Sequence, residues 1–288
     1  MARYILVSDI HYTVEETPDE YRRLHPEAEA SLAAGTAFGY TQAEKVQTML
    51  RHIRAEHEQS PLDGVFFLGD LSIDDYGYRN LPENFCKKLT DAFATLPCPV
   101  YALPGNHDSY PADLWRAATG HDRQYTVATD SAQWILLDTF AGTARGASGA
   151  PFTGTDANFL RHALAQCDDR PVFLLAHMVK ADDCEDLRAL IAPYPQVRAV
   201  FRGHSHIAEN VPCTLPVPLI DVGGYAYYGM RVGDTYTFQH FDPSWAWGYQ
   251  LIDTTPTVRT MHRMMPLHYT GSNGEFDFPG RDTAWQTL

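Results

Sequence analysis

The chain has 288 residues, 44% of them hydrophobic, which is enough apolar material for one large core. Its 22 Lys and Arg are outweighed by 36 Asp and Glu, for a formal net charge of −14. That balance argues against a broad basic face for a nucleic-acid duplex, while an anionic substrate stays open because bound cations can dominate the charge of a site.

Tyr4-Ile5-Leu6-Val7 is a short apolar run that leads into Ser8-Asp9-Ile10-His11. The polar stretch from Tyr12 to Tyr40 is long for a connection, and reads as a lid, an inserted subdomain or a solvated surface excursion. Thr41 and Glu44 form a capping-box pattern, and Val46, Met49, Leu50 and Ile53 follow at helical spacing, predicting a helix to about Glu58. Gly64 to Leu68 is a second buried-strand pattern, ending in Gly69-Asp70. Pro82 to Leu96 reads as a helix with Phe85, Leu89, Ala92, Phe93 and Leu96 on one face.

A third strand, Val100 to Leu103, stops at Pro104 and opens into Gly105-Asn106-His107-Asp108. Gln133 to Leu137 is a fourth, tipped by Asp138-Thr139, and Ala141 to Ala150 reads as a loop. Thr155 is the expected cap of a helix carrying Phe159, Leu160, Ala163 and Leu164. Val172 to Ala176 ends in His177, and a short helix is expected around Leu187, Leu190 and Ile191. Val197 to Phe201 leads through Arg202 to Gly203-His204-Ser205-His206, and Pro218 to Val222 is closed by Gly223-Gly224.

Beyond this point the aromatics Tyr225, Tyr227, Tyr236, Phe238, His240, Trp245, Trp247 and Tyr249 alternate with period two, a hairpin pattern. They could stack a base or face a second copy of the chain; a buried sheet face is the commoner use. Val258 to Met265 reads as one more strand, and residues 270–288 as a loosely ordered polar tail. Strands alternating with helices, then hairpins, predict one α/β domain over residues 1–288 with partly antiparallel sheets. The five cysteines, Cys86, Cys98, Cys167, Cys184 and Cys213, are odd in number and hold no C-x-x-C pair, so no disulfide framework or thiolate zinc site is expected. The first apolar run is too short for a signal-peptide core, and no stretch would span a bilayer, so the expected compartment is the cytoplasm, with no membrane partner.

Seven candidate metal ligands, Asp9, His11, Asp70, Asn106, His177, His204 and His206, lie at or just beyond the ends of these strands. Ligands of open α/β sheets bind beyond the carboxyl ends of the strands, where distant segments converge. Singly, each fragment has an ordinary reading as a turn or a hydrogen-bonded core histidine. Together, carboxylate, amide and imidazole donors suit Mn, Fe, Zn or Co better than the all-oxygen shells of Ca or Mg. In Asp9-x-His11 and His204-x-His206, an extended backbone would point both side chains the same way. Seven ligands exceed the needs of one ion, so two ions are expected.

The order Asp9-x-His11, Gly69-Asp70, Gly105-Asn106-His107-Asp108, His177, Gly203-His204-Ser205-His206 resembles the calcineurin-like metallophosphoesterase superfamily. The resemblance implies a four-layer α-β-β-α sandwich of two mixed sheets with a dinuclear metal site at the strand ends. It implies that Asp9, His11 and His206 hold one metal, that Asn106, His177 and His204 hold the other, and that Asp70 bridges. It also implies His107 as the catalytic acid, with Asp108 orienting it. Purple acid phosphatases carry a tyrosine three residues after the bridging aspartate; Ile73 stands there here, so the likeness is to the smaller, non-purple branch.

The implied chemistry is hydrolysis of a small phosphate ester by a hydroxide that two transition-metal ions generate. Phosphodiesters of the cyclic-nucleotide or glycerophosphodiester type are the leading substrates. A phosphomonoesterase or nucleotide pyrophosphatase with the same site is the nearest rival. A DNA-processing nuclease fits the acidic chain less well, and a non-catalytic scaffold is disfavoured because no motif residue is missing. Arg22, Arg23 and His25, or Asp74, Asp75, Tyr76 and Arg79, are placed in sequence to line the pocket, though the latter could equally be turn residues.

Overall fold

A computed structural model describes residues 1–12, 42–72, 85–140, 149–225, 230–232, 235–237, 248–271 and 274–288. Outside the described residues lie 13–41 with Arg22, Arg23, His25 and Thr41, then Ile73 to Arg79, Pro82, 141–148, and Tyr227, Phe238, His240, Trp245 and Trp247.

Two mixed sheets are stacked face to face. In the first, parallel strands β1 (Arg3–Val7), β2 (Gly64–Leu68) and β3 (Val100–Leu103) follow one another. On the other side of β1, antiparallel β12 (Gly248–Asp253) and β13 (Arg259–Met264) extend the sheet. The second sheet runs β4 (Tyr125–Ala128), β5 (Gln133–Leu137), β6 (Val172–Ala176), β7 (Val197–Arg202), β9 (Leu219–Val222) and β8 (Ala208–Val211). Small hairpins β10 (Met230–Val232) with β11 (Thr235–Thr237), and β14 (Leu267–Gly271) with β15 (Gly274–Phe278), complete the described strands up to Phe278.

The pleat assigns each strand's side chains to two different cores. Ile5, Val7, Val65 and Phe67 point outward, onto Met49, Leu50 and Ile53 of α1 (Gln42–Gln59), Leu89 and Phe93 of α2 (Phe85–Phe93), and Trp115 of α3 (Ala112–Thr119). Tyr4, Leu6, Phe66 and Leu68 point inward, onto Trp134, Leu136, Phe173, Leu175 and Phe201 of the other sheet. That sheet's outer residues Ile135, Leu137, Leu174 and Val200 meet Leu160 and Leu164 of α4 (Ala157–Ala165) and Leu187 and Ile191 of α5 (Asp183–Ile191). Three apolar clusters between four layers make the α-β-β-α sandwich. Burial on both faces is why these strands read as continuous apolar runs. Among the described residues, no helix is long and apolar enough to cross a membrane.

Several local expectations change. The cap of α4 is Asp156, not Thr155: its carboxylate accepts from the Asn158 and Phe159 amides, both at 3.0 Å. Helix α2 ends at Phe93 rather than Leu96. Helix α3 and strand β4 were not expected, since Pro111 to Ala128 carries no sustained apolar period. The tail is ordered by pairing. Strands β16 (Arg281–Asp282) and β17 (Gln286–Thr287) both dock on β13, whose outer edge would otherwise present unpaired backbone groups.

Candidate metal centre

All five motif segments end at the same rim of the sandwich. Strands β1, β2 and β3 deliver Asp9 and His11, Asp70, and Asn106 to His107; β6 and β7 deliver His177 and His204 to His206. The parallel registers, Val7 beside Phe67 and Leu68 beside Leu103 in one sheet and Ala176 beside Arg202 in the other, bring these ends level.

Backbone contacts lock the loops together. The Asp9 amide donates to Gly69 O (3.1 Å), and the Ile10 and His11 amides both donate to Asp70 O (3.0 and 2.9 Å). The His204 amide donates to Asp9 Oδ2 (2.9 Å), and the His107 amide to Asp70 Oδ1 (2.9 Å). So close an approach leaves no room at two glycines. A Cβ on Gly105 would fall 2.1 Å from Asp70 Oδ1, and one on Gly203 would fall 1.8 Å from Ser8 Oγ.

Asp9, His11, Asp70, His204 and His206 all have left-handed φ, between 49° and 71°, and every described non-glycine residue at positive φ is in this set. Neither pair of alternate ligands therefore lies on extended backbone, contrary to the expectation for Asp9-x-His11 and His204-x-His206. The side chains still converge, because each loop is held to a neighbour rather than by its own pleat. Such backbone costs roughly 1–3 kcal/mol per residue and clusters where a site demands it.

Six of the seven candidate ligands, together with His107, form overlapping groups. The donor atoms of Asp9, His11 and His206 lie within 4.8 Å of one another, as do those of Asp70, His177 and His204, and those of His11, Asp70 and His107. His206 Nε2 is 3.2 Å from Asp9 Oδ1 and 3.1 Å from His11 Nε2. His177 Nε2 is 3.1 Å from Asp70 Oδ2 and 3.2 Å from Asn106 Oδ1, and Asn106 Oδ1 is 3.0 Å from His204 Nδ1. Asp70 thus sits between the two halves, with its Oδ2 also 3.6 Å from His11 Nε2.

This donor set fits bound cations. Asp9 Oδ1 is buried with no hydrogen-bond partner, an arrangement that is costly unless a positive centre faces it. His177 Nδ1 lies 2.7 Å from Leu68 O, as a ring N–H donor to that carbonyl would; its Nε2 then points at two oxygen atoms. Burial opposes charging His177, yet Asp70, Asp9 and the Leu68 carbonyl push its pKa up to about 10. Without metal, a proton supplies the positive charge there. Burial lowers His11 to about 4 against the pull of Asp9 and Asp70, and burial with the His177 charge lowers His204 to about 4. Both are neutral, ligand-ready imidazoles at pH 7. Burial raises the Asp9 carboxyl, but His206, His177 and His11 draw it well below its usual range; burial likewise opposes Asp70, which His177, His107 and His11 lower.

Protonation of His177 is linked to stability. Its folded pKa lies above the unfolded value of about 6.5, so the protonated ring stabilises the metal-free protein fully below about pH 6.5 and ceases to as pH rises through about 10. Metal binding must displace that proton. Calorimetric titration at pH 7.5 in buffers of different ionisation enthalpy is expected to show close to one proton released on filling the His177 side. No release would contradict a protonated His177.

The Asp108 side chain meets backbone amides and not the His107 ring. Its carboxylate is fully buried and accepts from the Leu71, Ser72 and Gly105 amides, each at 3.0 Å, so it fastens the His107 turn to the Asp70 loop instead of touching the imidazole. Burial, with nearby Asp70, raises its pKa to about 6 against those three bonds.

Sequence reasoning missed further supports. Buried Lys45 of α1 donates to Ile10 O (2.7 Å). The Tyr225 amide donates to Ser8 O (3.1 Å) and Asp9 O (3.2 Å), and its hydroxyl bonds His52 Nδ1 (2.5 Å). No spacing in the chain announces contacts between residues this far apart.

A model of the calcineurin-like phosphoesterase family matches residues 2–208. No curated protein matches the chain by sequence. Among solved structures, a dimetal phosphatase from Danio rerio (LOC 393393) is similar with a TM-score of 0.60 and 12% identity, over 98% of this chain and 98% of that one, a likeness of fold. Vps29 of Chaetomium thermophilum gives 0.42 and 9%, covering 100% and 98%, and Yfce, a phosphoesterase from E. coli, gives 0.34 and 14%, covering 97% and 98%.

Proposed function

This chain belongs to the calcineurin-like phosphoesterase family, and from that premise we propose that it is a hydrolase of phosphodiesters that works with two transition-metal ions. The observation that carries this reading is the pair of ligand groups, Asp9-His11-His206 and Asp70-His177-His204, joined at Asp70 with Asn106 beside the second. Cations held there would lower the pKa of water toward neutrality and neutralise the phosphate oxygens.

The chain's own residues do the rest. Asp70 presents one carboxylate between both ligand groups. Its other oxygen holds the His107 amide, so the same residue positions the acid candidate. His107 lies at the partly buried edge of the site, its ring 5.2 Å from that of His11, and in this reading it protonates the leaving oxygen. Asp108 positions His107 through backbone amides and does not share its proton. The preference for diesters follows the likeness to the non-purple branch, with Ile73 where a metal-binding tyrosine would stand.

A bis-aryl phosphate and a mono-aryl phosphate, offered to protein loaded with Mn, Co, Zn or Fe, test the assignment. Faster hydrolysis of the diester supports it; exclusive hydrolysis of the monoester replaces it with a phosphomonoesterase. His107→Ala is expected to keep wild-type metal content while turnover of the diester falls about 10²–10⁴-fold. A wild-type rate in that variant would remove His107 from the mechanism.

A further inference from the structure

We propose that Arg123, outside every motif above, is a positioning residue that fixes Asn106 and His177 at the separation the second metal needs. The inference rests on the dinuclear reading of the site.

Arg123 lies just before β4. The antiparallel register pairs Tyr125 with Leu136, so two residues further out on each strand Arg123 stands opposite Asp138, at the end of β5. Its Nε donates to Asp138 Oδ2 (2.6 Å) and its Nη2 to Asp138 Oδ1 (3.4 Å). Nη1 reaches the other sheet, donating to Tyr110 O (2.9 Å) and Asp108 O (3.4 Å) at the base of the Asn106-His107 turn. The two side chains are only 10% and 14% exposed, and Trp115 of α3 lies beneath the guanidinium, 5.9 Å from its carbon.

One planar group therefore joins the loop after β3 to the end of β5, across the gap between the sheets. The β5 end leads to the second metal group. Asp138 Oδ1 accepts from the Phe140 amide (3.2 Å), and the Phe140 ring packs on His177 with centroids 5.7 Å apart. Asn106 comes from the first sheet and His177 from the second, so their relation depends on what ties the sheets at this corner. The Asp9-His11-His206 group has other supports, Lys45 and Tyr225, and does not touch this link. A lysine could pair with Asp138 but lacks the fork that serves both partners. A cavity lined by Arg123, Asp138, Gln124, Thr153 and Phe159 opens beside the group, so a small solute can reach it.

The test is calorimetric titration of the metal-free full chain with Mn or Zn alone, for wild type, Arg123→Ala and Arg123→Lys. In wild type two equivalents are expected. In Arg123→Ala one step should be kept and the other weakened about 10–100-fold, with partial recovery on adding ethylguanidinium at tens of millimolar. Arg123→Lys should show the same split more mildly, and it decides the matter if the alanine variant fails to fold. Equal weakening of both steps, or two wild-type affinities in the variants, overturns the proposal. Fewer than two equivalents in wild type overturns the dinuclear reading, and this proposal with it.

Discussion

Asp70→Asn is expected to cost more activity than any other single conservative change. The substitution keeps an oxygen that can accept from the His107 amide, now 2.9 Å from Asp70 Oδ1, so the neighbouring turn has no steric reason to move. What it removes is the negative charge 3.1 Å from His177 Nε2 and 3.6 Å from His11 Nε2. Both ligand groups lose a carboxylate at once. Metal content should fall from two equivalents to one or fewer, and kcat/KM on a phosphodiester should fall at least about 10³-fold, which corresponds to about 4 kcal/mol of transition-state stabilisation. Elemental analysis beside rate measurement checks both. A variant with two metals and a rate within tenfold of wild type would refute a bridging role.

Gly105→Ala is expected to have the largest effect on folding among the loop glycines of the Asp70 site. The added methyl would lie 2.1 Å from Asp70 Oδ1 and 2.4 Å from Asp70 N. Asp70 cannot retreat, because its carbonyl is held by the Ile10 and His11 amides. The 105–108 turn must lift instead, breaking the bonds from the Gly105 amide to Asp108 Oδ2 and from the His107 amide to Asp70 Oδ1. Overpacking plus broken buried hydrogen bonds should cost about 3 kcal/mol or more, lowering Tm by several degrees and abolishing turnover. Gly120→Ala is the control. Gly120 has positive φ, 78°, which Gly105 does not, and nothing lies within 4 Å of its Cβ position. It should lose only about 1 kcal/mol from backbone strain and keep its activity. Equal losses in the two variants would show that the contact with Asp70 costs no more than backbone strain does at an open site, and would refute the clash at Gly105.

Sequence spacing speaks only of regular periods and so predicts extended backbone for Asp9-x-His11; the loop takes left-handed φ because its amides are claimed by Gly69, Asp70 and Leu71, just beyond β2. The family resemblance implies that Asp108 orients His107, and a motif does not say whether it does so through the ring or, as the contacts here run, through backbone amides. The 270–288 tail was read from polarity, and polarity carries no information about an open edge on β13 waiting for backbone partners.

The sequence alone determined which strands are buried, because strands covered on both faces must be apolar along their whole length, and it marked the polar residues that break those runs as the chemistry-bearing ones. It also determined the donor types, and so the kind of cation they suit. The tertiary structure decided which donors lie close enough to share an ion, since that depends on strand register and on two sheets meeting at one corner. It decided that Asp108 fastens a turn, and that Arg123, Lys45 and Tyr225 hold the site together. Those roles arise from contacts between residues far apart in the chain, and a linear pattern has no coordinate in which such distances can be written.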